Sequence, residues 1–214
     1  MNDIFSFALL CFTSYLTLVN PLGLMPVFMG MTSALDQHER SVIARKALLI
    51  AFIAMVAFAF SGQFIFNFFG ISINGLRIVG GFLFFNMGYE MMQAKLSKVK
   101  VTQSEVNDSE EEDDISVTPL AIPMICGPGV ITNSIVLMKD AEEPEFVAVL
   151  VAVMLVVCLI TFVILLSAGR ILKFLGSTGN KVLMRIMGLI IMVIAVEFFV
   201  SGIRPILQDI LRGV

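Results

Sequence analysis

Long apolar runs separated by short polar stretches dominate this chain. Several approach the ~20 apolar residues that span a bilayer core. Six can be delimited, at about 4–31, 47–66, 70–92, 115–138, 146–168 and 182–202. Each crossing with its loop uses roughly 30–35 residues, so 214 residues hold six helices in one compact domain. The pattern predicts an all-α membrane protein with six transmembrane helices.

Two of the runs are interrupted. Asn20-Pro21-Leu22-Gly23-Leu24-Met25-Pro26 cuts the first at a depth where a membrane helix is normally continuous. Cys126-Gly127-Pro128-Gly129 cuts the fourth, which also carries Pro119 and Pro123. A proline inside a helix removes a donor, and the carbonyl it leaves over needs another partner. The flanking glycines allow tight backbone geometry. Helices 1 and 4 are therefore expected to be broken.

The two breaks belong to a repeat. Pro21 and Pro128 are 107 positions apart, and at the same offset Gly62 meets Gly169, Gly81 meets Gly188 and Glu90 meets Glu197. A one-residue slip pairs Gly70 with Gly176 and Arg77 with Arg185. The chain reads as residues 1–92, a polar charged linker 93–114, and residues 115–214. Three spans per copy force the second copy upside down, giving two inverted three-helix repeats. Charge agrees: loops 1–2, 3–4 and 5–6 collect ten Lys or Arg, and the other side has only Arg77, Lys139, Arg204 and Arg212. The positive-inside rule then places both termini outside and the linker in the cytoplasm.

Composition adds the class and removes alternatives. Hydrophobic residues make up 58% and charged residues 14%, against about 45–50% and about 25% in soluble domains. The net charge of −3 sits mainly in loops and says little about partners. No basic patch is interleaved with aromatics, so nucleic-acid binding is not expected. Cys11, Cys126 and Cys158 fall in apolar runs and read as small buried residues. His38 lacks ligand-type neighbours at ligand spacing, so no metal site or cofactor is expected. Asp3, the lack of early Lys or Arg and the lack of a small-x-small cleavage site argue that the first run is a span, not a signal peptide. The acidic end of the linker, 105–114, reads as a solvated segment.

Candidate chemistry gathers near the breaks. Ser6, Thr13, Thr17 and Asn20 lie within a sector of about 60° on a helix, a polar stripe that in lipid should face other helices or a wet cavity. Its competing explanation is back-bonding and helix–helix contact. Broken helices expose N–H and C=O groups at midplane, and inverted repeats can present such a site to each side in turn. The expected substrate-binding set is Asn20, Pro21, Gly23, Gly127, Pro128, Gly129 and Thr132, flanked by Thr13, Thr17 and Asn133. Glu90 and Glu197 are the candidate membrane carboxylates for coupling, and Arg77 and Arg185 are expected at the interface or paired with nearby acids. Asn86 and Glu90 share a helix face. Glycines and methionines read as close-packing and core residues.

The stretches Val19–Phe28, Phe69–Ile73 with Arg77–Gly81, and Val117–Pro123 with Gly127–Thr132 resemble the MarC family over nearly the whole chain except the acidic linker. Cys126 stands where Ala is more usual in that family, and Asn86 where an apolar residue is. The resemblance implies a multi-pass protein of a prokaryotic inner (plasma) membrane that transports small neutral amino acids such as glycine and alanine. The expected partners are then a small zwitterion, H+ or Na+ as coupling ion, and the lipid bilayer, with an oligomer compatible with the sequence. A channel or an exporter of another small metabolite is the competing reading. An enzyme is not expected, since no paired aspartates, Ser with buried His, or His-rich motif lies in the spans.

Overall fold

The computed structural model describes residues 2–33, 35–70, 72–93 and 116–211. The first apolar run forms two helices, α1 (Asn2–Val19) and α2 (Pro21–Met31), joined at Asn20. Asn20 has a left-handed backbone, φ 46° and ψ 63°, a conformation that Asn tolerates better than most residues. Hydrogen bonding continues across the joint: the Asn20 N–H donates to the Leu16 carbonyl and the Leu24 N–H to the Asn20 carbonyl, both at 3.1 Å. Pro21 takes the first helical position, where no N–H is required.

Helix α3 (Gln37–Phe69) begins with a reciprocal cap: Asp36 Oδ1 accepts from the Glu39 N–H, and Glu39 Oε2 accepts from the Asp36 N–H, each at 2.8 Å. Asp36→Ala should cost about 1 kcal/mol, read as a lower melting midpoint of the purified protein in detergent. Gly70 ends α3 with φ 65°, and Ser72 opens α4 (Ile73–Met92) by accepting the Gly75 N–H at 2.9 Å. The fourth run starts as wide π-helical turns over Ser116–Ile125. There the Cys126 N–H reaches five residues back to the Ala121 carbonyl at 2.8 Å. Pro119 and Pro123 have no N–H for the ordinary four-residue ladder, which accounts for the departure from an α-helix. Then come Gly127 and α5 (Pro128–Asp140). The stretch Pro144–Leu211 is helical except at Gly176, φ 69°, which divides it into α6 (Pro144–Gly176) and α7 (Thr178–Leu211).

Several boundaries differ from those expected. Helix α3 passes through Ser61-Gly62-Gln63 to Phe69, and α6 passes through Gly169, Arg170 and Lys173 to Gly176. Gly62 leaves the space that Ile135 fills, whereas at Gly169 a Cβ would meet Met29 only at ordinary contact distance, so neither glycine ends its helix. Arg204 belongs to α7, not to a tail. The linker from Ala94 onward, with Lys95, Lys98 and Lys100, lies outside the described residues, as does Arg212.

The helices pack with alternating direction. Tyr15 donates to Ser134 Oγ at 2.9 Å, and Phe7 meets Phe146 edge-on at 5.2 Å, so α1 runs antiparallel to α5. At the other end Gln37 Nε2 donates to the Leu166 carbonyl at 3.4 Å. Helix α3 buries one stripe, Ala44, Ala47, Leu48, Ala51, Met55, Ala59, Gly62 and Phe66, while Leu49, Ile53, Phe60 and Phe64 are exposed. Water does not tolerate that much exposed apolar surface on a compact fold, and lipid does. Among the described residues four segments are long and apolar enough to cross a membrane, Ile4–Met31, Gln37–Phe69, Pro144–Gly176 and Thr178–Leu211, and the expected spans at 70–92 and 115–138 are not among them.

Helices α4 and α7 form the closest pair. An added Cβ on Gly88 would lie 2.7 Å from the Gly188 carbonyl oxygen, one on Gly81 2.7 Å from that of Ala195, and one on Gly202 2.7 Å from that of Asn74. The contacts 74·202, 81·195 and 88·188 advance by seven residues in opposite directions, which defines an antiparallel seam with one layer per two turns. Replacing each residue by its counterpart 107 positions away converts the 81·195 contact into 188·88. The seam is thus self-complementary between the two halves of the chain, as a contact across a two-fold axis is.

Candidate functional site

Both breaks sit inside the bundle, and each is shaped by its own residues. The Asn20 side chain folds over the start of α2, where Oδ1 accepts the Gly23 N–H at 3.2 Å. Gly23 makes room for this, since a Cβ there would lie 2.5 Å from Asn20 Nδ2. That Nδ2 is buried and has no partner among the described residues. A buried unmade donor costs about 1–3 kcal/mol, and a ligand acceptor placed there would recover much of it.

The second break is more open chemically. Gly127 caps α5 through its extended backbone, and no side chain bonds the first turn. The amides at the start of α5 are therefore not used up by a cap, and a helix N-terminus favours negative charge. A Cβ on Gly127 would fall 2.5 Å from the Pro123 carbonyl oxygen, so only glycine fits. Gly129 lies beneath Phe84, Phe198 and Leu18, whose nearest atoms would be 3.0, 3.0 and 3.4 Å from an added Cβ. The Phe84 and Phe198 rings meet edge-on at 6.2 Å.

Leu18, two residues before the first break, thus touches the second, and Met124 from before the second break shares a cavity with Asn20. This cavity, about 20 Å³, is lined by Thr17, Asn20, Gly23, Phe84, Met87 and Met91, among others. It has room for about one water, and its methionines are flexible enough to reshape it. Two larger cavities lie beside it. One, about 400 Å³, runs along Thr13, Ser14, Thr17, Asn133 and Glu197. The other, about 320 Å³, is lined by Arg77, Thr132, Asn133, Glu197 and Ser201. Asn133, Glu197 and Phe198 border both, so they form one groove. Thr17, Leu18 and Ile194 are common to the groove and the Asn20 cavity.

The residues expected from sequence separate into those that meet here and those that do not. Thr13, Thr17, Thr132 and Asn133 border the groove, and Asn20 and Gly23 border the inner cavity. Pro21 is buried in the core of α2, and Pro128 packs its ring against Gly80, so both act through the backbone. The hydroxyls of Thr13 and Thr132 bond back to their own helices, to the Leu9 and Pro128 carbonyls, both at 2.8 Å. Ser6 is exposed and borders neither the groove nor the inner cavity. Both carboxylates are exposed; Glu197 borders the groove, whereas Glu90 lies in the last turn of α4, and Asn86 is exposed on the same helix. Arg77, expected at the interface or beside nearby acids, borders the groove together with Glu197, and Phe84 and Phe198 cover the second break. Their signals were a cation inside an apolar run and aromatics at helical spacing, neither of which points to a site without the packing.

His38 is exposed, and Cys11, Cys126 and Cys158 are buried free thiols. Among the described residues no group of three His, Cys, Asp or Glu is placed to hold a metal ion.

A helical bundle with several bilayer-length apolar segments, lipid-compatible surface and two interrupted helices beside a polar groove is an integral membrane protein. The chain belongs to the MarC family: the model of the MarC family integral membrane protein matches residues 5–207. It is 37% identical to a UPF0056 membrane protein of Pyrococcus abyssi, over 93% of this chain and 94% of that one. It is also 37% identical to the UPF0056 membrane protein YvbG of Bacillus subtilis, over 94% and 95%, and to a UPF0056 membrane protein of Buchnera aphidicola, over 97% of each. No solved structure matches the chain.

Proposed function

We propose that this protein is a secondary transporter of small neutral amino acids, glycine and alanine in kind, that binds its substrate at the two helix breaks. The observation that carries the reading is the closeness of the two breaks, since Leu18 and Phe84 pack against the second and line the cavity that the first borders, next to the groove. The first break offers the unpaired Asn20 Nδ2, the second the uncapped start of α5, and Leu18 and Phe84 border both. These donors suit a carboxylate without a buried full charge from the protein. The inner cavity holds about one water as it stands, so its methionines must shift to admit a substrate, and one with little or no side chain demands the least.

Six crossings in two inverted repeats complete the proposal. The self-complementary α4–α7 seam supports it, as do the equivalent left-handed glycines Gly70 and Gly176. The membrane is a prokaryotic inner membrane, with both termini outside. Coupling runs through H+ or Na+ and, of the two carboxylates, through Glu197, because Glu197 borders the groove. A channel or an exporter of another metabolite would use the same breaks but show no saturable exchange.

The test is counterflow of labelled glycine and alanine by purified protein in liposomes. Asn20→Gly is the informative variant. Glycine accepts the left-handed backbone and costs only a few tenths of a kcal/mol as a cap, so stability should be nearly unchanged while exchange falls at least tenfold. Retained exchange would make Asn20 purely structural, and no counterflow of any amino acid from a broad panel would end the reading. Glu197→Gln should flatten the pH dependence of transport, and Glu90→Gln should leave it as in the wild type.

A further inference from the structure

Arg77 and Glu197 border the same cavity, together with Asn133. Their levels along the bundle follow from the seam. With 74·202 and 81·195 in contact, Arg77 stands opposite position 199 and Glu197 opposite position 79. They differ by two residues of helix, about 3 Å along the axis. The Arg77 Cβ packs close to Gly202, which anchors the base of its side chain on α7. Yet the cavity of about 320 Å³ lies between α4, α5 and α7 with a cation and an anion both on its wall. From the third wall, Asn133 Nδ2 is buried without a partner among the described residues.

Charged side chains within a membrane bundle are costly and are retained where they face a cavity or a partner. A cation and an anion at one level, lining one cavity that also holds a spare amide, present the complement of a zwitterion. We infer that the groove between α4, α5 and α7 is a second substrate site, an outer vestibule for an α-amino acid. Arg77 takes the carboxylate, for which a guanidinium fork is suited, and Asn133 Nδ2 adds a hydrogen bond to it. Glu197 takes the ammonium group. The groove continues past Thr13 and Thr17 to the wall of Leu18 and Ile194, behind which Asn20 lies. A zwitterion held in the vestibule, between the half-buried Arg77 and the exposed Glu197, is thereby delivered to the breaks already oriented. The inference rests on the transport reading above and deepens it: it requires that both charged ends of the substrate be recognised before the breaks are reached.

The experiment uses full-length protein in liposomes, with glycine counterflow competed by glycinamide, which lacks the carboxylate, and by acetate, which lacks the ammonium. Arg77→Gln should raise the KM for glycine at least tenfold and leave the weak competition by glycinamide unchanged. Glu197→Gln should raise it similarly and leave competition by acetate unchanged. Arg77→Lys and Glu197→Asp, which keep the charges, should recover most of the affinity, and melting curves of all four variants identify any that misfold. Wild-type exchange with both Gln variants within twofold of its KM would overturn the vestibule and leave the break site standing. A wild-type protein that neither exchanges nor binds glycine would overturn both.

Discussion

Gly127→Leu is expected to abolish amino-acid exchange in liposomes. The first side-chain atom would sit 2.5 Å from the Pro123 carbonyl oxygen, an obstacle made of backbone, and 3.2 Å from the Phe84 ring. The π-helical turns before Gly127 cannot yield without losing the bond from the Cys126 N–H to the Ala121 carbonyl. The start of α5 must therefore move away, and with it the amides at its first turn. Overpacking of this kind costs about 1–3 kcal/mol, so a folded protein should remain in the membrane with exchange at background. Gly127→Ala should already lower exchange at least tenfold. Full exchange in a correctly folded Gly127→Leu protein would show that the second break has no part in transport. Gly23→Ala offers a contrast, because its obstacle is the Asn20 side chain at 2.5 Å, which can swing aside. It should release the cap on α2 and reduce exchange less.

The largest loss of stability is expected from Gly88→Val. A Cβ on Gly88 meets the Gly188 carbonyl oxygen at 2.7 Å and the Met192 backbone nitrogen at 3.0 Å, so α4 and α7 must separate. With lipid as apolar as the side chains, packing and not water exclusion holds such a pair together. The cost should reach the upper end of overpacking, about 3 kcal/mol, and appear in unfolding by heat or denaturing detergent. Gly188→Val should cost a similar amount. The double variant should cost less than the sum, since one separation of the helices relieves both clashes. Gly169→Ala is the control: its Cβ would have 3.6 Å to Met29, and removing a helical glycine should stabilise by about 0.5–1 kcal/mol. Additive losses at Gly88 and Gly188 would contradict a shared seam.

Much of this molecule is visible before folding is considered. The apolar runs announce a membrane protein, because their length matches a bilayer and their composition cannot coat a soluble globule. Asn20-Pro21 and Gly127-Pro128 mark both breaks, since proline's missing N–H and the backbone freedom of Asn and Gly act locally. Adding 107 to Gly81 and subtracting it from Ala195 turns the 81·195 contact into the 188·88 contact. Helix ends at Gly62 and Gly169 were not readable, because an interior glycine looks like a terminator until its surroundings are seen, such as Ile135 filling the space at Gly62. The importance of Arg77 and the difference between Glu90 and Glu197 were hidden for a related reason. A charge in an apolar run has the same local sequence whether it faces lipid headgroups, another helix or a cavity.

The sequence by itself thus determined the class and the breaks, both of which depend on residues acting within a few positions of one another. Tertiary structure alone decided that Asn20 Nδ2 is buried without a partner among the described residues. It also decided that Phe84 and Phe198 close over Gly129, and that Arg77, Asn133 and Glu197 share one groove. Those facts rest on which faces of distant helices meet. That choice is made by close packing along the glycine seam, where a single Cβ changes the distance between two backbones.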